Sequence, residues 1–110
     1  MSEVMADRRA APRYTLILLA EVTDRLSSAK FTARTSDVSR TGCYVDMLNP
    51  LPRGTLVQMR LRNQKEIFEC GAVVMYVSPG LGMGVQFEEL PPGQLELLDR
   101  WLAGAAKSTH

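Results

Sequence analysis

Residues 55–78 decide the fold class, and they read TLVQMRLRNQKEIFECGAVVMYVS. In the first eight of them, apolar and polar side chains alternate, with Val57, Met59 and Leu61 on one parity. A period of two is typical of a strand that has one face in the core and one face in water. Residues 55–62 are therefore predicted to form a half-buried strand.

The second half of this stretch predicts the hairpin partner. Residues 63–65 form the turn, and residues 66–78 form a strand that is long for a single one. Gly71 lies in the middle of that strand. A glycine inside a strand marks a bulge or a bend of the kind that barrels use at corners, so the strand is expected to bend at this position.

Four further strands surround the hairpin. Residues 15–23, TLILLAEVT, are rich in β-branched and large apolar residues and predict a strand buried on both faces. In residues 29–36, apolar and polar side chains alternate as in a strand that has one face in water. The remaining two predicted strands are 42–47 and 82–90. Six short strands separated by turn residues predict a mainly β protein, a compact six-stranded antiparallel barrel.

In the C-terminal part of the sequence, the spacing of apolar residues changes from that of a strand to that of a helix. Two prolines at 91–92 suit a helix entrance, and an amphipathic helix over about 92–103 is predicted to cap the barrel. Trp101 is interpreted as its anchor in the core. Gly104 is expected to end the helix, and residues 105–110 are expected to form a frayed tail. The apolar residues at helical spacing are Leu95, Leu98, Trp101 and Leu102.

Length and composition indicate one domain. The chain has 110 residues, 45% of them apolar and 23% charged, as in an ordinary soluble globule. Its formal charge of +1 gives no global field toward nucleic acid or an anionic membrane. We divide it into a flexible N-terminal arm, 1–14, the barrel with its helix, 15–104, and the tail, 105–110.

The sequence contains neither an evident membrane span nor a cysteine motif. The longest apolar run, 16–20, is far shorter than the roughly 20 residues of a membrane helix, and residues 1–9 lack a signal-peptide core. A cytoplasmic protein without membrane insertion is predicted. Cys43 and Cys70 have no CxxC partner, and we interpret them as reduced, buried thiols. A cross-strand disulfide between them remains the alternative.

Catalysis and metal binding lack the residues that they need. The one histidine is His110 at the terminus, so histidine-based acid–base, nucleophilic and zinc chemistry have no central group. Gly80, Gly82 and Gly84 resemble a phosphate loop, but no helix follows them closely enough. We therefore predict that the protein is not an enzyme and has no cofactor and no metal site.

Binding of single-stranded nucleic acid is also disfavoured. It requires a basic groove interleaved with exposed aromatic rings. The aromatic residues of the predicted strands fall largely at the parity of the core, although Tyr14 lies near a group of arginines. A nucleic-acid partner is therefore not expected. The aromatic residues concerned are Phe31, Tyr44, Phe68, Tyr76 and Phe87.

A cluster of arginines precedes the first strand. Arg8, Arg9 and Arg13 fall within six positions, and Pro12 keeps the segment extended. Arg9 and Arg13 fit the pattern RxxxR. A guanidinium stays charged, binds phosphate with two parallel hydrogen bonds and reads the O6/N7 edge of guanine, so this arm is a candidate anion- and base-binding segment. A solvated arm without a ligand is the alternative.

The turn between the second and third strands carries another pattern. Asp37, Ser39 and Gly42 fit DxSxxG. Asp and Ser can fix a turn by accepting backbone N–H groups, and Gly42 permits a positive φ there. The same geometry would leave a carboxylate and a hydroxyl facing outward, where they could accept the N1–H and N2–H₂ groups of guanine or donate to phosphate.

These motifs, in this order, resemble the PilZ domain family. The resemblance rests on RxxxR before the first strand, DxSxxG after the second, and GMGVQF, residues 82–87, ahead of the terminal helix. It spans about residues 8–103. The family implies a small barrel that binds the bacterial second messenger cyclic di-GMP. Carried over position by position, the ligand-binding residues are Arg9, Arg13, Asp37, Ser39 and Gly42. Arg8, which precedes the motif, is predicted to contact the ligand as well.

The small, polar segment before the first strand predicts a mechanism. A receptor of this kind would order its arginine arm over the ligand and signal to an unidentified effector protein, with motility, polysaccharide synthesis or the envelope as output. Arg8, just before RxxxR, is expected to favour a stacked pair of ligands over a single one. The alternative function is a protein-interaction adaptor of the same fold that binds no nucleotide.

Overall fold

The computed structural model describes residues 11–108, in which the chain forms seven strands and one helix. All strand pairings between these elements are antiparallel. The elements are β1 (Tyr14–Thr15), β2 (Leu19–Asp24), β3 (Lys30–Val38), β4 (Gly42–Asp46), β5 (Leu56–Asn63), β6 (Glu66–Ser78), β7 (Gly82–Glu89) and α1 (Gln94–Ser108).

Six of the strands close into a barrel. The pairings run in the order β3–β2–β5–β6–β7–β4, and β3 pairs with β4 to complete the circle. The short β1 is an additional strand that pairs with β3. Closure leaves the six barrel strands without free edges, which is how small β proteins avoid unpaired backbone groups. The predicted six-stranded antiparallel barrel with a C-terminal helix is confirmed.

The β5–β6 hairpin has the predicted pattern. Val57, Met59 and Leu61 are fully buried, and the β5 residues between them are exposed. The pairing of β6 with β7 shifts register between Gly71 and Ala72, so the irregularity predicted at this glycine is confirmed. The shift lies where the long β6 strand passes from its β5 partner to its β7 partner along the barrel wall.

The first predicted strand is interrupted in the structure. β1 and β2 pair along the same edge of β3, and residues 16–18 between them leave the ladder. The expectation that 15–23 is buried on both faces is wrong. Ile17 is 64% exposed and Leu19 is 41% exposed, because the outer face of a barrel wall meets water even where the sequence is apolar.

The hydroxyl of Thr35 bridges the interruption. Its Oγ1 donates to the carbonyl oxygen of Leu16 at 2.6 Å and accepts the N–H of Leu18 at 2.9 Å. Thr35 is fully buried, so these bonds satisfy backbone groups that the strand ladder leaves without a strand partner. The side chain thereby fixes the path of the chain between β1 and β2, and with it the position of the residues just before β1.

Two aromatic residues lie on the outer face rather than at core parity. Tyr44 and Tyr76 contact each other with ring centroids 6.1 Å apart, and Tyr76 is 49% exposed. Their rings cover Gly82 and Gly84, because a side chain at either glycine would meet them. The glycines of the GMG segment therefore provide a flat surface on which the two rings rest.

Helix α1 extends further than predicted. It begins at Gln94 and continues through Gly104 to Ser108, so Gly104 does not end it and residues assigned to the tail are helical. Ala105 is buried, and packing of this extra turn outweighs the weak helix propensity of one glycine. Leu95, expected on the buried face, is 37% exposed.

Trp101 anchors the helix to the barrel, as predicted. Its ring packs against Phe68 with centroids 6.4 Å apart, and its Nε1 donates to Oε1 of Glu66 at 2.8 Å. Arg100 donates to the other carboxylate oxygen at 2.7 Å. The bonds from Trp101 and Arg100 lower the pKa of Glu66 below its ordinary value, so the carboxylate stays ionised and keeps both donors at neutral pH.

The two cysteines are buried free thiols, as predicted. Burial is the main cause that raises the pKa of both, that of Cys70 to about 12. Both thiols are therefore protonated at neutral pH and act as small apolar side chains of the core.

Replacing Thr35 by valine tests the bridge. The change keeps the volume and removes the hydroxyl, so we expect the free energy of unfolding to fall by about 1–3 kcal/mol, because the buried Leu18 N–H loses its partner. Urea unfolding followed by circular dichroism measures the change. Thr32→Val, on the exposed face of the same strand, is the matched control and should cost less than about 0.5 kcal/mol. Equal losses would contradict the bridging role.

Candidate functional site

A bulge in β3 decides which way Asp37 points. The pairing of β3 with β4 shifts register between Thr35 and Asp37, which leaves Ser36 as the additional residue. Thr35 and Val38 are buried, whereas Ser36 and Asp37 are partly exposed. Side chains of a regular strand alternate, so without the bulge Asp37 would share the inward parity of Thr35. The bulge therefore brings the carboxylate to the outer surface.

Arg13 pairs with this carboxylate. Thr15 of β1 is the ladder partner of Asp37, which brings the residues before β1 alongside β3. The Nε and Nη2 atoms of Arg13 donate to Oδ1 of Asp37 at 3.0 and 2.6 Å. The two side chains are 47% and 36% exposed, and an ion pair in water adds little stability. Its consequence is orientation, because it fixes one edge of the guanidinium.

Ser39 lies inside the turn that follows. It is 1% exposed, and its backbone N–H donates to the Gly42 carbonyl at 2.8 Å. Its Oγ accepts the N–H of Thr41 at 3.1 Å and lies 3.3 Å from the Gly42 carbonyl oxygen, to which it donates. The expectation that this hydroxyl faces outward is wrong, because the turn itself uses it. The structural role predicted for Ser39 is the one observed.

Gly42 is required for space and not for a positive φ. It is absent from the glycines with positive φ among the described residues, so the expected reason for this glycine is wrong. A Cβ atom at Gly42 would collide with the carbonyl oxygen of Val85 and crowd Gln86. The close approach of β4 and β7 at the start of their ladder therefore excludes any side chain here.

Arg40 fastens the same turn to the helix. Its Nε and Nη2 donate to the two carboxylate oxygens of Asp99 in α1 at 2.8 and 3.3 Å. The bond to Asp99 raises the pKa of Arg40. The two residues are 59 positions apart, and no sequence pattern pointed to this contact. The DxSxxG turn is thus held both by its own hydrogen bonds and by the helix.

A cleft of about 550 Å³ opens on the outer face of β3. Thr15, the ladder partner of Asp37, and Ser36, its neighbour, are among the lining residues, so the cleft adjoins the Arg13–Asp37 pair. The sequence analysis did not predict that Arg34 and Asp46 line this cleft. Their outward parity in two predicted strands was a signal that both side chains lie on the outer surface. The lining includes Thr15, Ile17, Thr32, Arg34, Ser36 and Asp46.

The predicted site residues fall into three groups. Arg13 and Asp37 are in contact on the surface. Ser39 and Gly42 lie in the adjoining turn and are buried. The sites predicted at Arg8 and Arg9 lie outside the described residues.

The part of the chain that the structure describes holds no group of three His, Cys, Asp or Glu side chains placed to ligate a metal ion. In the same part, the helix is neither long enough nor apolar enough to cross a membrane.

Comparison with known families identifies the chain as a PilZ domain. The family model of the PilZ domain matches residues 7–104, which include both arginine positions of RxxxR and the whole DxSxxG turn. The chain therefore belongs to the PilZ domain family. No curated protein matches it.

Solved structures support the same fold. The Bacillus subtilis inhibitor of motility (MotI/DgrA) is similar with a TM-score of 0.77 and 16% identity over 94% of this chain, which spans 53% of that one. The PilZ domain of CeSA from a cellulose-synthesizing bacterium has a TM-score of 0.68 and 24% sequence identity, and the match covers 86% of this chain and 97% of that one. The PilZ domain of Escherichia coli YcgR, solved with c-di-GMP, has a TM-score of 0.75 and 16% sequence identity, and the match covers 93% of this chain and 94% of that one.

Gly42→Ala tests the space requirement in the turn. We expect it to lower the free energy of unfolding by about 1–3 kcal/mol, because the added methyl group meets the backbone of Val85, which cannot move without opening the ladder. Urea unfolding measures the loss.

Gly84→Ala is the matched control in the same sheet. The atoms nearest to its methyl group belong to the Tyr76 side chain, which is half-exposed and can move, so this change should cost less than the Gly42 change. If the two variants are equally stable, close backbone packing is not what requires Gly42.

Proposed function

We propose that this chain is a receptor for cyclic di-GMP. The observation that carries the proposal is the Arg13–Asp37 pair, which joins one residue from each of the two family motifs on the outer surface beside a cleft. Membership of the PilZ domain family supports it, as does the likeness in fold to the YcgR domain solved with c-di-GMP. The role is regulatory, and no catalytic step is proposed.

The Arg13–Asp37 pair keeps hydrogen-bonding capacity for a ligand. Arg13 uses Nε and Nη2 toward Oδ1 of Asp37, so the hydrogens on Nη1 remain free to bind a phosphate or the O6/N7 edge of guanine. Oδ2 of Asp37 can accept the N1–H and N2–H₂ groups of a base. Cyclic di-GMP carries two phosphates and two guanines, and so presents both kinds of group.

The rest of the proposed binding set acts with this pair. We propose that Arg9, the first arginine of RxxxR, binds the ligand directly, and that Arg8 favours a second, stacked ligand. Ser39 and Gly42 contribute by holding the turn that follows Asp37. The chain has a formal charge of +1, so a dianionic ligand is attracted by this local cluster rather than by the whole protein.

Isothermal titration with cyclic di-GMP tests the receptor proposal. We expect micromolar or tighter binding by the wild-type protein, and Arg13→Ala and Arg9→Ala should each weaken it at least about tenfold, because each removes charge-assisted hydrogen bonds. GMP should bind far more weakly. The titration also gives the stoichiometry, which Arg8→Ala should lower if a stacked pair binds.

Arg53→Ala is the matched control for the titration, since Arg53 is an exposed arginine outside the cleft lining. Its affinity should equal that of the wild-type protein. If saturating cyclic di-GMP produces neither heat nor a thermal shift, the receptor proposal is wrong.

We propose that the ligand acts by fixing the N-terminal segment over itself, which changes the surface shown to an effector protein in the cytoplasm. Hydrogen exchange measures this directly. Amide exchange of residues 1–13 should slow on addition of cyclic di-GMP, and unchanged exchange at saturation would rule out this mechanism.

A nucleotide-free interaction adaptor is the second candidate function. One observation favours it: Leu48 and Leu81 are 76% and 69% exposed. They lie in adjacent turns, because the N–H of Met47 donates to the Leu81 carbonyl at 3.0 Å. Exposed apolar side chains grouped at one end of a barrel are typical of a protein contact. The absence of binding in the titration would favour this function.

A further inference from the structure

Arg34 and Asp46 face each other on the wall of the cleft. They are ladder partners in the β3–β4 pairing, both are exposed, and both line the cleft of about 550 Å³. The Cβ atoms of directly opposed residues lie about 4.5–5.5 Å apart, so both side chains can contact one bound molecule. Neither residue belongs to the motifs on which the proposed function rests.

A guanidinium beside a carboxylate is complementary to guanine. Guanine presents O6 and N7 as neighbouring acceptors, and arginine binds them with two parallel hydrogen bonds. The adjoining N1–H and N2–H₂ groups are donors, and an ionised aspartate can only accept. Adenine carries an amino donor where guanine has O6, so it would place a donor against the guanidinium.

The cleft lies within reach of a ligand held at Arg13. Asp46 is two residues along β4 from Tyr44, which is the ladder partner of Asp37. With about 3.4 Å per residue along a strand and about 4.8 Å between strands, the Cα atoms of Asp37 and Asp46 are about 8 Å apart. A ligand with two bases can therefore contact the Arg13–Asp37 pair and extend one base into the cleft.

We propose that Arg34 and Asp46 bind one guanine base of cyclic di-GMP and make the cleft selective for guanine over adenine. Arg34 donates to O6 and N7, and Asp46 accepts N1–H and N2–H₂. This inference rests on the proposed function, because it names the residues that determine base specificity at the same site.

Parallel titrations with cyclic di-GMP and cyclic di-AMP test the inference. The wild-type protein should bind cyclic di-GMP at least about tenfold more tightly. Asp46→Asn and Arg34→Met should each weaken cyclic di-GMP binding about fivefold or more and change cyclic di-AMP binding less than about twofold. Adenine lacks the N1–H and N2–H₂ donors that Asp46 accepts, and it lacks the O6 that Arg34 needs beside N7 for two parallel hydrogen bonds. Both side chains are exposed, so both variants should unfold at the wild-type temperature.

Arg53→Met is the matched control for charge. Arg53 is exposed in the segment between β4 and β5 and is not among the residues that line the cleft. It should change the affinity for either dinucleotide less than about twofold. A loss as large as that of Arg34→Met, or losses shared equally by both dinucleotides in the Asp46 and Arg34 variants, would overturn the inference in favour of a general charge effect.

The wild-type titrations separate this inference from the proposed function. If the protein binds neither dinucleotide, the receptor proposal fails and the inference fails with it. If it binds cyclic di-GMP but binds cyclic di-AMP equally well, or if Asp46→Asn binds like the wild-type protein, only the inference fails. The wild-type comparison needs no variant, so equal affinities for the two dinucleotides would overturn the inference even where a substitution disturbs folding.

Discussion

The pairing of β3 with β4, with its bulge at Ser36, determines which β3 side chains enter the core and which face outward. This pairing closes the barrel, and the bulge reverses side-chain parity so that Val38 enters the core while Asp37 faces water. β1 then pairs beside Asp37 and brings Arg13 into contact with it. The additional residue Ser36 therefore determines both the packing of Val38 in the core and the position of Asp37 in the candidate site.

The shape of the turn after β3 is determined by its own hydrogen bonds, by close backbone packing and by a contact with the helix. The Ser39 hydroxyl forms hydrogen bonds within the turn, and Gly42 allows β4 to approach β7. Arg40 joins the turn to Asp99 of the helix. These contacts orient the Asp37 carboxylate, which would lower the ordering cost of the proposed ligand binding. Of the three residues of the motif, Asp37 therefore faces solvent, whereas Ser39 and Gly42 are buried and hold the turn beside it.

Sequence reasoning predicted the features that depend on local pattern. The alternation in β5, the irregularity at Gly71 and the anchoring role of Trp101 follow from parity, a missing side chain and helical spacing. It was wrong about Ile17 and about the direction of the Ser39 hydroxyl, because exposure and hydrogen-bond partners depend on how distant strands meet. The helix end and the Arg40–Asp99 contact were missed for the same reason. The Arg13–Asp37 contact joins residues 24 positions apart, and only the resemblance to a family placed both in one site.

Chemical-shift mapping of the isotopically labelled protein with cyclic di-GMP would show where the ligand binds in the folded chain. The largest changes should fall in β1, on the outer face of β3 and in the turn 39–42, with smaller changes around Asp46. Changes confined to the turns that carry Leu48 and Leu81, or no changes at saturating ligand, would contradict the proposed site.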